Sequence, residues 1–177
     1  MRWRALALAL IVLGSFVAVW QLTLTPVEGT DGGAMALDCN ATAPGIQDYC
    51  VYPSGATFSV QVHATKAPPG GYFAFQAKIR WSDDQLDYLP TMSAEDEALW
   101  SECDIVARID LQFFDDQPAV VFGCVPLTFN YPGEVVPGPM AQLQFRCGND
   151  GNSPLDLVPR PGDPHLGTNF ADRDGYY

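Results

Sequence analysis

Gly71–Pro90 reads GYFAFQAKIRWSDDQLDYLP, and its period decides the fold class. Phe73, Phe75, Ala77, Ile79 and Trp81 fall on one side of a two-residue repeat, while Tyr72, Ala74, Gln76, Lys78 and Arg80 fall on the other. Successive side chains of a strand point to opposite faces, so this alternation predicts a strand with one face in a core and one face open to water or a ligand. A polar turn, Ser82-Asp83-Asp84, and a second apolar pair, Leu86 and Tyr88, come next.

Outward from this segment the same rhythm recurs. Upstream, Phe58, Val60, Val62 and Ala64 alternate within Thr57–Ala64, and the turn Ala67-Pro68-Pro69-Gly70-Gly71 leads into the central strand. Downstream, Ile109, Leu111 and Phe113 make one alternating set, Val120, Phe122 and Cys124 a second, and Ala141, Leu143, Phe145 and Cys147 a third. Leu155 and Leu157 close a later strand. Short alternating strands separated by Pro and Gly predict an all-β sandwich. One short helix is expected near residues 94–100. Ser93 caps it, Glu95, Asp96 and Glu97 place negative charge in its first turn, and Leu99 or Trp100 anchors it.

The N-terminus has a different character. Met1-Arg2-Trp3-Arg4 is basic and the run Ala5 to Trp20 is apolar, extendable through Gln21-Leu22-Thr23-Leu24. Basic residues before an apolar run favour export of the downstream chain. Residues 1–24 are read as a signal peptide or membrane anchor, with cleavage and retention both open. Ala34 and Ala36 have the spacing of a cleavage site, although far from the apolar run. The Gly-rich, acidic stretch over 25–37 reads as a flexible linker, and 38–177 as one domain, long enough for a full core.

Charge and cysteine narrow the functional classes. The chain of 177 residues carries a net charge of −12, with Lys66 and Lys78 its only lysines. Such a surface repels phosphate backbones and anionic headgroups, so nucleic acid is not an expected partner. The membrane is a partner only through an uncleaved N-terminal segment. Five cysteines, Cys39, Cys50, Cys103, Cys124 and Cys147, fit an oxidising compartment. Their spacing is not that of a zinc or redox site. Connectivity stays open; proximity favours Cys39 with Cys50 and Cys103 with Cys124. Cys147 shares parity with Leu143 and Phe145, so a buried free thiol is expected.

Catalysis finds little support. His63 and His165 are the only histidines, His63 lies on the polar side of its strand, and the chain contains no nucleophile elbow or phosphate-binding glycine loop. The acid pairs Asp83-Asp84 and Asp115-Asp116 are adjacent in turns, whereas paired catalytic carboxylates come from separate elements. No cofactor is required. Calcium is the one ion considered: Asp172, Asp174 and Gly175 resemble part of an acidic loop, but Phe170 stands where a first carboxylate belongs. A hairpin turn explains these residues more simply. The expected binding surface is the polar face of the central strand, where Tyr72, Gln76, Lys78 and Arg80 combine a ring, an amide and two cations. Protein and sugar ligands both suit that set.

The order of these motifs resembles cohesin-like domains of the bacterial carbohydrate-binding-module superfamily. Ile79-Arg80-Trp81-Ser82-Asp83-Asp84-Gln85-Leu86-Asp87-Tyr88 resembles the family's signature of apolar strand, aromatic residue, polar turn and leucine. Pro139 to Arg146, following Gly138, resembles its late strand. Thr168-Asn169-Phe170-Ala171-Asp172 with Gly175 resembles its terminal strand and turn. The likeness covers roughly residues 55 to 177 and implies a jelly-roll sandwich of about nine strands. It implies a non-catalytic module for protein adhesion or assembly at the cell surface. A carbohydrate-binding module and a purely structural envelope domain are the alternatives. The five cysteines depart from typical cellulosomal cohesins, and no dockerin repeat accompanies the domain.

Overall fold

The computed structural model describes residues 19–23, 27–28, 32–82, 85–115, 117–127, 133, 136–148, 153–159, 167–172 and 175–176. Within them lie thirteen strands: β1 (Val19–Thr23), β2 (Val27–Glu28), β3 (Ala34–Asp38), β4 (Tyr49–Pro53), β5 (Thr57–Lys66), β6 (Ala74–Trp81), β7 (Leu86–Tyr88), β8 (Ile105–Asp115), β9 (Gln117–Val125), β10 (Gly138–Cys147), β11 (Leu155–Leu157), β12 (Asn169–Asp172) and β13 (Gly175–Tyr176). Nine of these are four residues or longer. The rest are short additions at strand ends and edges.

Two antiparallel sheets face each other. One has the order β2-β3-β5-β10-β7, and the other the order β13-β12-β6-β9-β8, with β11 also paired to β6. The alternating residues meet between them as expected. Phe58, Val60, Val62, Leu143 and Phe145 come from the first sheet, and Phe75, Ala77, Ile79, Trp81, Val120 and Phe122 from the second. Phe145 sits at the centre of an aromatic group, with ring centroids 5.4 Å from Trp81, 5.5 Å from Tyr88 and 6.0 Å from Phe58. The fold is therefore an all-β sandwich.

Both disulfides favoured by proximity are present, Cys39–Cys50 and Cys103–Cys124, and Cys147 is a buried free thiol. Burial alone raises the thiol's pKa above its ordinary value.

Two boundaries differ from the sequence reading. The linker expected over 25–37 contains β2 and most of β3, with Met35 opposite Ala64 and Leu37 opposite Val62 of β5. Its apolar run Ala34-Met35-Ala36-Leu37 is buried, so the Ala34 and Ala36 pair lies inside the sheet. Gly32 and Gly33 give the stretch a linker composition, but a neighbouring strand supplies the hydrogen bonds that composition alone does not reveal. The apolar segment assigned to 1–24 also ends differently: Val19–Thr23 pairs antiparallel with β4, Leu22 opposite Cys50. The anchor helix expected before it falls on 1–18, outside the described residues. No helix among the described residues is long and apolar enough to cross a membrane.

The helix expected over 94–100 is a single 3-10 turn, Ala94–Glu97, with Ser93 as its cap. It stops because Ala98 is extended and bridges to Ala141, while the Leu99 and Trp100 N–H groups donate to the Met140 carbonyl. Trp100 is the anchor; its ring lies 5.3 Å from Tyr72. Leu99 is exposed.

Candidate functional site

The polar face expected on β6 is not an open surface. Tyr72 is buried, its ring 4.8 Å from Phe170 and 5.3 Å from Trp100. The cause is local. Gly71 takes a φ of 74°, a left-handed turn conformation that glycine adopts without a Cβ clash, and β6 begins only at Ala74. Parity counted back from Gln76 therefore fails at Tyr72, and Phe73 is the partly exposed member of that pair. Gly133 fits against this turn for the same reason of space: a Cβ there would lie 2.8 Å from the Tyr72 carbonyl oxygen.

Lys78 is also buried, in a strand flanked on both sides. Val121 of β9 lies opposite it on one side, and its N–H donates to Thr168 Oγ1 at 3.1 Å on the other. Gln76 donates from Nε2 to the Gly167 carbonyl at 2.7 Å and is half-buried. Arg80 keeps the most exposure of the four, its guanidinium 3.8 Å from Asp156. The strand places these residues in a row, but neighbouring segments take up the ring, the amide and the ammonium. The four do not form an open ligand-binding face.

The calcium candidates lie largely outside the described residues. Asp172 closes β12 opposite Gly175, the register of a tight hairpin, and Asp174 is not described. The described residues contain no group of three or more His, Cys, Asp or Glu arranged to hold a metal.

An open apolar row lies on β8. Alternation in the sequence groups Ile109 with Leu111 and Phe113 but does not say which way the set faces. Ile105 is 49% exposed and Ile109 54%, joined by Val125 at 38% and Leu127 at 69%. Ile105 stands opposite Val125, and Ile109 opposite Val121, on the outer side of the six-stranded sheet. Asp104 Oδ2 accepts from the Leu127 N–H at 2.7 Å and holds that end of the row in place. Toward the centre of the sheet the face closes: Ala119 and Val121 are buried.

A buried carboxylate fixes this parity. Glu97 in the 3-10 turn is fully buried, and its Oε1 receives Arg108 Nη1 at 3.0 Å, the Tyr88 hydroxyl at 2.8 Å and the Thr91 N–H at 3.1 Å. Arg108 also donates from Nη2 to the Thr91 carbonyl at 3.1 Å. Arg108 must therefore point inward, and period two turns Ile105, Ala107 and Ile109 outward. Burial, then the bond to Glu97, raises the Tyr88 phenol well above its ordinary range. Burial opposes the charge on Arg108, but Glu97 and Tyr88 together outweigh it and the guanidinium pKa is raised. From sequence, Glu97 reads only as dipole compensation at a helix start. The one clue to its role is an arginine between isoleucines on a strand otherwise suited to face inward.

A second polar cluster lies on the other sheet. His63 Nε2 is 3.0 Å from Gln61 Oε1 and 3.8 Å from buried Asp38 Oδ2. Asp38 Oδ1 accepts the N–H groups of Asn40 and Gln47, closing the disulfide loop. Burial lowers the imidazole pKa below its ordinary 6.5, outweighing the pull of Asp38. A depressed folded-state pKa contributes stability that is present above the unfolded value and lost as pH falls. Thermal unfolding of the wild type between about pH 7 and pH 5 should show a decline that a His63→Gln variant lacks in part. Equal slopes for the two proteins would remove His63 as a source.

No family model matches the chain, and no curated protein matches it. Solved structures do. The chain is similar to the third cohesin of ScaC from Acetivibrio cellulolyticus, solved with the ScaB dockerin, at 11% identity and a TM-score of 0.44, over 70% of this chain and 81% of that one. It is also similar to the OlpC cohesin–dockerin complex from Clostridium thermocellum, at 13% identity and a TM-score of 0.45, over 70% and 77% of the two chains.

Proposed function

We propose that this chain is a non-catalytic recognition module acting outside the cytoplasm, and that it binds a protein partner through the apolar row of β8 and the end of β9. The exposed Ile105, Ile109, Val125 and Leu127 on one sheet face carry the reading. A chain with a net charge of −12 has ample polar residues for a solvated face, so a run of large apolar groups there marks an interaction surface. A sugar platform needs exposed coplanar rings, and Tyr49 is the one clearly exposed ring among the residues whose side-chain exposure the structure describes, which leave out Trp20, Phe113, Phe114 and Tyr176. Support for the compartment comes from the two disulfides and the basic-then-apolar start of the sequence.

The test is capture from an extract of the source cells by the immobilised protein, with and without protease treatment of the extract. Wild-type protein should capture a protease-sensitive partner, and the double variant Val125→Lys, Leu127→Asp should lose it. Capture that survives protease would transfer the reading to a glycan. Capture unaffected by the double variant would place the binding surface elsewhere.

A further inference from the structure

We infer that the N-terminal apolar segment is retained as a membrane tether, and that its last residues have two exclusive places, in the bilayer or on β4 as β1. The inference rests on the export part of the function proposed for the chain and is independent of the β8 surface.

Removal of an export segment requires small residues in A-x-A-like spacing after the apolar run. Between that run and Cys39, Ala34 and Ala36 are the only alanines. Both belong to β3, whose five residues are all buried. Met35 and Leu37 enter the core, and β3 pairs with β5 from Ala34 opposite Lys66 to Asp38 opposite Gln61. The Ala34 carbonyl also accepts the Thr65 hydroxyl at 3.1 Å. Cleavage of an export segment precedes folding, so burial does not shield the site. Its product, however, begins at Leu37. That product lacks β1, β2 and the Ala34–Ala36 part of β3, and it leaves most of one flank of β5 unpaired. The sandwich is built with the residues that cleavage discards, so the segment before them stays attached.

Length then sets where the tether ends. Residues 5–24 contain no charged side chain and, as a helix, reach about 30 Å, the thickness of a bilayer's hydrocarbon core. Residues 5–18 alone reach about 21 Å and fall short. Arg2 and Arg4 hold the start of the chain on the cytoplasmic side. A span therefore needs Val19–Thr23, and those residues are β1, paired with β4 from Val19 opposite Pro53 to Thr23 opposite Tyr49. They cannot be helix in lipid and strand on β4 at once. β1 pairs with β4 alone, outside the two main sheets, so its withdrawal leaves their pairing intact. In the tethered chain the edge of β4 is uncovered, beside the exposed Tyr49 and Val51 side chains.

The test expresses the full chain with its own N-terminus in a bacterial host and reads fractionation, external protease access and intact mass. Wild type should stay with the membrane through carbonate washing, face the outside, and keep the mass of the uncleaved chain. Phe16→Ala, together with Ala18, supplies the A-x-A spacing immediately before β1. This variant should shift to a soluble exported form that begins at Val19. Gln21→Cys with Val51→Cys puts thiols at register partners. A disulfide should join them in the released Phe16→Ala chain and not in the membrane-bound one. Exported wild type that is soluble, or that begins downstream of Trp20, would overturn the tether. Equal cross-linking in bound and released chains would overturn the competition for β1. Both results leave the compartment and the β8 surface standing, whereas wild type held in the cytoplasm would overturn this inference and the compartment together.

Discussion

Replacing Glu97 with alanine is expected to lower unfolding stability by about 3 kcal/mol, the lower end of the range for breaking a buried ion pair. The lower end applies because Arg108 retains some access to water, with a side-chain exposure of 19% against 0% for Glu97. Three donors converge on Glu97 Oε1, from the Tyr88 hydroxyl, the Thr91 N–H and Arg108. Alanine leaves all three without that acceptor, and the charge of Arg108 suffers most. Glu97→Gln retains an oxygen for Tyr88 and Thr91 and should cost less, about 1–2 kcal/mol. The decisive comparison is the double variant Glu97→Leu, Arg108→Met. Apolar side chains of similar volume often replace a buried pair at little net cost, so most of the loss should be recovered. Urea midpoints at constant slope measure all three. A Glu97→Ala protein as stable as wild type would show that the pair does not hold the 3-10 turn against β8.

Reduction of the two disulfides has the second large expected effect. Cys39–Cys50 closes a loop of 11 residues and Cys103–Cys124 one of 21. Chain-entropy estimates give about 3 kcal/mol for each, hence about 6 kcal/mol together. A domain of this size typically has a total stability of about 5–15 kcal/mol, so reduction should take it close to unfolding. Thermal scans with and without reductant, beside the two paired Cys→Ser variants, separate the contributions. The second bridge should matter locally as well, since it joins the residues just before β8 to β9 beneath the exposed row. An unchanged midpoint in reductant would mean that the sheets hold without the bridges, and would weaken the case for an oxidising compartment.

The central strand shows how far alternation carries a reading. Phe75, Ala77, Ile79 and Trp81 are buried as their period requires, and the same holds for Phe58 to Ala64, Val120 to Cys124 and Ala141 to Cys147. These positions are legible because each lies within an unbroken strand between two sheets. Tyr72 escapes the pattern because a left-handed glycine resets the count one residue earlier. Lys78 escapes it too: it is buried in a strand flanked by β9 and by the segment containing Thr168, and neither neighbour is encoded near residue 78. The row on β8 faces outward although hydrophobicity alone favours Ile109 inward. A carboxylate from outside the strand outweighs that preference by pairing with Arg108.

Strand content, the parity of most strands, the cysteine pairing favoured by short separations, and the acidic character that disfavours polyanionic partners can all be read along the chain. Alternation marks two faces and local spacing marks near neighbours, and both are properties of contiguous residues. Which face meets water is settled only when the sheets pack. That choice depends on groups distant in the chain: Glu97 against Arg108, Phe170 against Tyr72, and Val121 opposite Lys78. A period of two separates the faces of a strand, but long-range contacts decide which of them enters the core.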